Sequence, residues 1–237
     1  QDGCDYCCTY CTVPLARGRS RNIPIAQVVQ QAQEIAARGV KEIVLTGVNT
    51  GDFGKTTGES FAGLLRELSL VKGIERYRIS SIEPNLLTEE IIEMTASMKC
   101  FLPHFHIPLQ SGSSRILRKM GRRYDPGLFA RKVRFIRSLM PYAFIGVDVI
   151  AGFPGETEAD FMETYKLLED LEPSYLHIFP FSPRPGTPAA LLPVSERVRE
   201  GIITERTRML GQLSDRLHRE VIQANRGRKE EVLFEGK

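Results

Sequence analysis

Apolar and polar positions along the chain keep two spacings, and stretches of one alternate with stretches of the other. Residues 24–38 form an amphipathic run that opens on Pro24 and closes on Gly39, which is helix punctuation. Lys41–Thr46 then reads as a strand, and a helix from about Ser60 to Val71 leads to a strand at Arg76–Ser81. A helix over about Thr88–Met98 precedes a strand at His104–Leu109. Arg115–Met140 is helical in two pieces, broken at Asp125-Pro-Gly127. Ala143–Ala151 is a strand, Glu158–Leu171 a helix and Tyr175–Phe181 the last strand, before a long polar helix from Ser195 to about Asn225. Such alternation predicts an α/β chain of parallel βα units, closed or partly closed into a barrel. The chain opens on a loop where a first strand would just have ended, so an earlier strand is expected to be missing. Glu230–Phe234 reads as the first strand of a further unit.

Composition changes this picture little. The 237 residues suffice for one sizeable core. No apolar run approaches the roughly 18 residues of a membrane span, and unpaired, closely spaced Cys point to a reducing cytoplasm. A net charge of +3 is too small to signal nucleic-acid binding, but its distribution is uneven. Arg115–Arg137 holds nine basic residues and one acid, while Glu156–Glu172 holds seven acids and one Lys, which suggests a basic face.

The first dozen residues carry the densest chemistry. Cys4, Cys7, Cys8 and Cys11 share one short loop, and with Cys7 set aside they read C-x3-C-x2-C. Three thiolates on one loop can ligate three irons of a cubane cluster and leave the fourth open to a small molecule. Tyr10 is placed to pack against such a ligand. Four Cys could instead bind zinc, although structural zinc sites usually draw ligand pairs from separated knuckles. A redox C-x2-C pair is a further alternative, although such pairs normally sit in a βαβ context. Cys7 reads as a spare small side chain, and Cys100 as a buried small hydrophobe.

In parallel βα barrels ligands collect at the C-terminal ends of strands. Gly47, Val48 and Asn49 offer backbone there to an amino-acid head group. Ser81 and Glu83 alternate onto one face, where Glu83 could hydrogen-bond an ammonium or ribose. His104, His106, Pro108 and Gln110 share one face and Phe105, Ile107 and Leu109 the other, a polar lumen opposite an apolar helix contact. Ser111-Gly-Ser113 then starts a helix whose first N–H groups suit an anion. Asp148 shares a face with Gly146, Ile150 and Gly152, and Gly152–Thr157 is a tight turn that admits close approach, as by an adenine. Phe179–Ala190 is rigid, Pro-rich and aromatic, a wall for the barrel mouth. Taken singly, ordinary βα turns, loop carboxylates and a hydrogen-bonded core His would explain these residues too.

Together, C-x3-C-x2-C, Pro14–Gly18 (PLARG), His106–Gly112 (HIPLQSG), Met120–Tyr124 (MGRRY), Ile150–Thr157 (IAGFPGET) and Phe181–Ala190 (FSPRPGTPAA) resemble the methylthiotransferases. These are a branch of the radical S-adenosylmethionine (SAM) enzymes. Within the branch, Leu45–Gly54 and Leu139–Ile150 are most similar to enzymes acting on N6-threonylcarbamoyladenosine in tRNA. They are less similar to those acting on isopentenyladenosine in tRNA or on a ribosomal-protein aspartate.

The resemblance implies a partial parallel (β/α)6 barrel of the TIM type, truncated at its first strand. It implies a [4Fe–4S] cluster on Cys4, Cys8 and Cys11. SAM would lie across the strand ends against Tyr10, Gly47, Val48, Asn49, Ser81, Glu83, Gln110, Ser111, Arg122, Asp148, Ile150 and Gly152. Reduction of the cluster would cleave SAM to a radical that activates C2 of adenosine 37, where a methylthio group is inserted. The resemblance also implies an N-terminal domain with an auxiliary [4Fe–4S] cluster and a C-terminal RNA-binding β-barrel. Residues 1–229 would then be the catalytic core and 230–237 the start of that barrel. Implied partners are the tRNA anticodon loop, met by Arg17, Arg19 and Arg21, and an electron donor such as flavodoxin or ferredoxin, with no membrane. A non-catalytic iron–sulfur or zinc-binding module is the alternative of another class.

Overall fold

Five strands, β1 (Glu42–Leu45), β2 (Arg76–Ile79), β3 (His104–Gln110), β4 (Phe144–Ala151) and β5 (Tyr175–Pro180), alternate with helices in a computed structural model that describes residues 1–234. The helices are α1 (Val13–Arg17), α2 (Ile25–Ala37), α3 (Phe61–Ser69), α4 (Glu89–Ser97), α5 (Ser114–Lys119), α6 (Pro126–Leu139), α7 (Glu158–Leu171) and α8 (Glu200–Ala224). β1 pairs with β2, β3 with β4 and β4 with β5, each pair parallel. A Tyr77–Phe101 bridge and a bond from the Ile82 N–H to the His106 carbonyl (3.0 Å) tie β2 to β3. All five strands therefore lie side by side in chain order. Parallel neighbours need crossover connections, and the helices supply them. Among the described residues the wall does not close into a barrel.

Local sequence sets where the helices begin. The Ser60 hydroxyl accepts from the Gly63 N–H, Thr88 from Ile91 and the Asp125 carboxylate from Leu128, with Pro126 in the first turn of α6. Thr157 and Asp160 form a reciprocal capping box at the start of α7. Each cap of this kind contributes about 1 kcal/mol.

The main core lies between the wall and its helices. Phe105, Ile107 and Leu109 on β3 and Ile145, Val147 and Val149 on β4 are at most 1% exposed, packed with Leu65, Leu68, Ile92 and Phe161. His104 and His106 are only half-buried on the opposite face of β3, as alternation predicts. A second, smaller cluster at the strand ends joins Ile116, Leu117, Met120, Tyr124, Ile150, Phe153 and Ala189, with Tyr10 and Phe181 packed against it. It is the apolar seat of the cysteine loop.

Several expectations give way. The pleat of β3 is interrupted near its end, where the register shifts between Pro108 and Gln110 and Gln110 adopts φ 64°. Gln110 thus reaches the strand ends through a bulge, not by simple alternation. Glu230–Phe234 forms no strand: it is exposed and pairs with no neighbouring strand among the described residues. Residues 235–237 of that expectation lie outside the described ones. The basic run is only partly taken up by neighbouring acids, since Arg118, Arg123 and Arg131 stay exposed while others of the run turn to carboxylates. Arg115 pairs with Asp160, Arg134 with Asp170 (2.7 Å), and Arg122 turns inward.

Candidate functional site

The cysteine loop is pinned at both ends and along its length. Asp2 and Arg21 exchange backbone hydrogen bonds, and the Cys4 N–H donates to Gly18 O at 3.1 Å. Further on, the Thr9 N–H donates to Met120 O (2.9 Å), its hydroxyl to Lys119 O (2.9 Å), and its carbonyl accepts from Ala189 (2.8 Å). Gly121, at φ 72°, leaves room for the loop: a Cβ there would stand 3.0 Å from the Cys7 carbonyl. Tyr6 is buried beneath the loop, its hydroxyl bonded to Asn85 (2.8 Å) and its ring under the Arg123 guanidinium.

Each of three sulfurs accepts one N–H. Cys4 Sγ accepts from Tyr6 (3.4 Å), Cys11 Sγ from Val13 (3.4 Å) and Cys8 Sγ from Arg122 (3.3 Å), whereas Cys7 is exposed. Burial pushes the Cys4 and Cys8 thiols up, and the neighbouring thiols push Cys4 further. The Arg122 guanidinium draws Cys8 partly back. The three sulfurs do not all lie within 4.8 Å of one another, the reach of ligands around one ion. The donor set therefore suits a polynuclear cluster better than a single zinc.

Arg122 is the hub of the site. Its side chain is 4% exposed and pairs with Glu83, while its other N–H groups reach Cys8, the Tyr10 hydroxyl (3.3 Å) and the Tyr124 hydroxyl (3.0 Å). The Tyr124 hydroxyl in turn donates to Pro108 O at 2.6 Å, tying the network to the β3 bulge. Burial pushes the Glu83 carboxyl up, and Arg122 opposes that shift.

Tyr10, Gln110 and Ile150 meet around a cavity of about 490 Å³, whose other wall is Phe179, Pro180, Phe181, Ser182 and Arg184. The Pro-rich aromatic segment thus walls the strand ends. The remaining residues expected around SAM are spread more widely. The Asn49 N–H donates to the Gln1 side chain (2.8 Å), and a Cβ at Gly47 would touch Gln1, so residue 1 covers the Gly47–Asn49 turn, where Val48 is exposed. The buried Asn49 amide has no hydrogen-bond partner at either polar atom, which fits a polar ligand at that turn. Ser81 is held through its carbonyl, which accepts from the Thr50 hydroxyl at 2.7 Å. Ser111 is fully buried against Thr164 and Ser113. Beside the start of α5 the Asp160 carboxylate accepts from the Ser113 hydroxyl and the Arg115 guanidinium, side chains and not backbone N–H groups of the helix. Gly152 turns toward Ile203 of α8, which fills the space a Cβ would need. Asp148 bonds to His106 in the lumen (2.6 Å). Arg17, Arg19 and Arg21 are exposed beside the loop, with Arg17 and Arg21 both pairing with Asp2.

Sequence reasoning missed three participants. Tyr6 and Tyr124 carry no signal beyond a Tyr next to a charged motif. His177 was legible: Tyr175, His177 and Phe179 alternate onto one face of β5, and Phe179 lines the cavity.

Comparison with known proteins agrees with this geometry. The model of the Radical SAM superfamily matches residues 1–168. The threonylcarbamoyladenosine tRNA methylthiotransferase MtaB of Bacillus subtilis is 44% identical over 222 residues, 93% of this chain and 49% of that protein. The tRNA-2-methylthio-N(6)-dimethylallyladenosine synthase of Pelotomaculum thermopropionicum is 37% identical over 236 residues, 99% of this chain and 52% of that protein. The chain thus spans about half the length of these curated relatives. Among solved structures, the radical S-adenosylmethionine methyltransferase TsrM of Kitasatospora setae superposes with a TM-score of 0.67 at 21% identity, covering 80% of this chain and 37% of that one. A likeness at that identity bears on the fold alone.

Proposed function

This chain belongs to the radical SAM superfamily, and from that premise we propose that it is the catalytic core of a tRNA methylthiotransferase. The reaction is insertion of a methylthio group at C2 of N6-threonylcarbamoyladenosine 37. What carries the proposal is the 44% identity to a threonylcarbamoyladenosine tRNA methylthiotransferase across 93% of the chain. Cys4, Cys8 and Cys11 would hold a [4Fe–4S] cluster, with SAM against Tyr10, Gln110, Ile150 and the Asn49 turn. Bound together, cluster and SAM supply reductive cleavage of the sulfonium and hence radical chemistry.

The chain's own groups set the conditions for that chemistry. Arg122 donates to the Cys8 sulfur, a contact that raises a cluster's potential, and Glu83 balances its buried charge. Tyr10, Phe153 and Phe181 stack edge to face and keep water from one side of the site. The 490 Å³ cavity falls in the size range of small-molecule sites, and a loop base turned out of its stack could enter it. Arg17, Arg19 and Arg21 would meet phosphates of the anticodon loop, which position the RNA without reading its sequence. The auxiliary cluster and the RNA-binding barrel would lie in the remaining half of a full-length, cytoplasmic enzyme, and a flavodoxin or ferredoxin would supply the electron.

Mass spectrometry of tRNA nucleosides from cells lacking the full-length protein tests this. The 2-methylthio derivative of threonylcarbamoyladenosine should vanish while that of isopentenyladenosine persists. The reverse pattern would favour the sister reaction, which the 37% identity over 99% of the chain keeps in view. Intact tRNA with an unmodified ribosomal protein would overturn the tRNA reading.

A further inference from the structure

His106, Asp148 and His177 project from three neighbouring strands, β3, β4 and β5, and none belongs to the cysteine loop or the Arg122 network. His106 Nε2 lies 2.6 Å from Asp148 Oδ1, and the His106 and His177 rings are 5.0 Å apart. One ligand atom from each lies within 4.8 Å of the other two, and among the described residues no other three His, Cys, Asp or Glu side chains converge so closely. Asp148 stands directly opposite His177 in the β4–β5 register. His106 and Asp148 are half-buried and His177 is more open, so all three can be reached from the lumen. Ile150 and Phe179, which line the strand-end cavity, are two residues further along their strands than Asp148 and His177. The trio therefore sits about 7 Å beneath that cavity. Gly146, on the same face as Asp148, lies beside His177: a Cβ there would stand in ordinary contact with its Nε2 at 3.6 Å.

We propose that these side chains form a second metal site, which takes one divalent first-row transition-metal ion through His106, Asp148 and His177. Imidazole nitrogen and carboxylate oxygen are both ordinary ligands of such ions. Two nitrogens and one oxygen suit zinc, iron(II) or cobalt(II) better than hard magnesium or thiophilic copper(I). Three protein ligands leave coordination positions open, here toward the cavity, the arrangement of metal sites that bind a substrate group. A His106–Asp148 hydrogen bond accounts for two of the side chains. It gives no reason for a second imidazole from the next strand to turn to the same point, steadied there by the Tyr175 ring at 5.0 Å. The inference stands apart from the reaction proposed above.

Anaerobic titration of Co²⁺ into the chain carrying Cys4→Ser, Cys7→Ser, Cys8→Ser and Cys11→Ser removes competition from the loop thiols. About one Co²⁺ should bind per chain, with weak d–d bands and no sulfur-to-cobalt charge transfer. His177→Ala and Asp148→Asn, added singly, should each weaken binding at least about tenfold with unchanged circular dichroism. If the serine variant does not fold, the cluster-loaded chain and its His177→Gln variant can be compared by cobalt content after desalting. More cobalt in the parent chain supports the site, and equal content overturns it. No uptake at all, or uptake indifferent to His177→Ala and Asp148→Asn, overturns it as well.

Discussion

Cys4, Cys8 and Cys11 differ from Cys7 in what donates to them. Two receive backbone N–H groups and one a guanidinium, while Cys7 faces solvent. Anaerobic reconstitution should therefore load about four irons in wild type and in Cys7→Ala alike, and far fewer in Cys8→Ala, read by iron and sulfide analysis. Loss in Cys7→Ala with retention in Cys8→Ala would reverse the ligand assignment. Arg122 poses a different question, because its charge is buried and Glu83 is its only carboxylate partner among the described residues. Glu83→Gln leaves that cation uncompensated and should cost about 3–5 kcal/mol in urea unfolding of the chain without cluster. A cost below 1 kcal/mol would mean that the tyrosine hydroxyls suffice to hold Arg122.

The junction of α5 and α7 shows how one element completes another. Asp160 caps its own helix and also accepts from Ser113 and Arg115 at the start of α5. Burial by itself would raise its carboxyl, but these hydrogen bonds prevail and hold it well below the ordinary 3.8. A depressed carboxylate stabilises the fold above its unfolded pKa, and that contribution fades as pH falls through the folded value. Asp160→Asn should thus lose about 1.5–3 kcal/mol at pH 7, and the gap to wild type should narrow only below about pH 4. A gap independent of pH in guanidinium titrations would make the role purely steric. Glycines give a second contrast. A Cβ at Gly112 would lie 2.5 Å from the Thr164 backbone, while Gly211, inside α8, has nothing within 4 Å. Gly112→Ala should destabilise by about 1–3 kcal/mol and Gly211→Ala stabilise by up to about 1 kcal/mol, read from thermal unfolding. The elements themselves were legible, because βα alternation, the break at Asp125-Pro-Gly127 and the two faces of β3 all write themselves in the residue pattern. The β3 bulge was not, since a left-handed Gln110 carries no signal in a run of alternating residues. Nor was the partner of Ser113 and Arg115: spacing within α5 says nothing of an aspartate 47 residues beyond Ser113 that packs beside it. For the same reason the spacing could not tell which members of the basic run pair with α7 and which stay exposed.

At the scale of the molecule, the five parallel strands carry the thiol loop, the Arg122 network and the cavity at one end of the wall. In the proposed reading that end would hold the cluster and SAM together, but a methylthio group also needs a source of sulfur. Of the five Cys, three would ligate the cluster, leaving Cys7 and Cys100, and two thiols cannot make a second three-ligand set. Cleavage of SAM and transfer of sulfur should therefore separate in this chain. With cluster, SAM and a strong reductant it should produce 5′-deoxyadenosine, detected by liquid chromatography. With threonylcarbamoyl-tRNA added, it should yield no methylthiolated nucleoside. Tyr10→Ala should lower the 5′-deoxyadenosine rate at equal iron content, because the ring packs between the loop and the Phe153–Phe181 pair and helps keep the site dry. Methylthiolated product from this chain alone would show that the sulfur source lies within it, and Cys7, exposed in the same loop, would be the first residue to test.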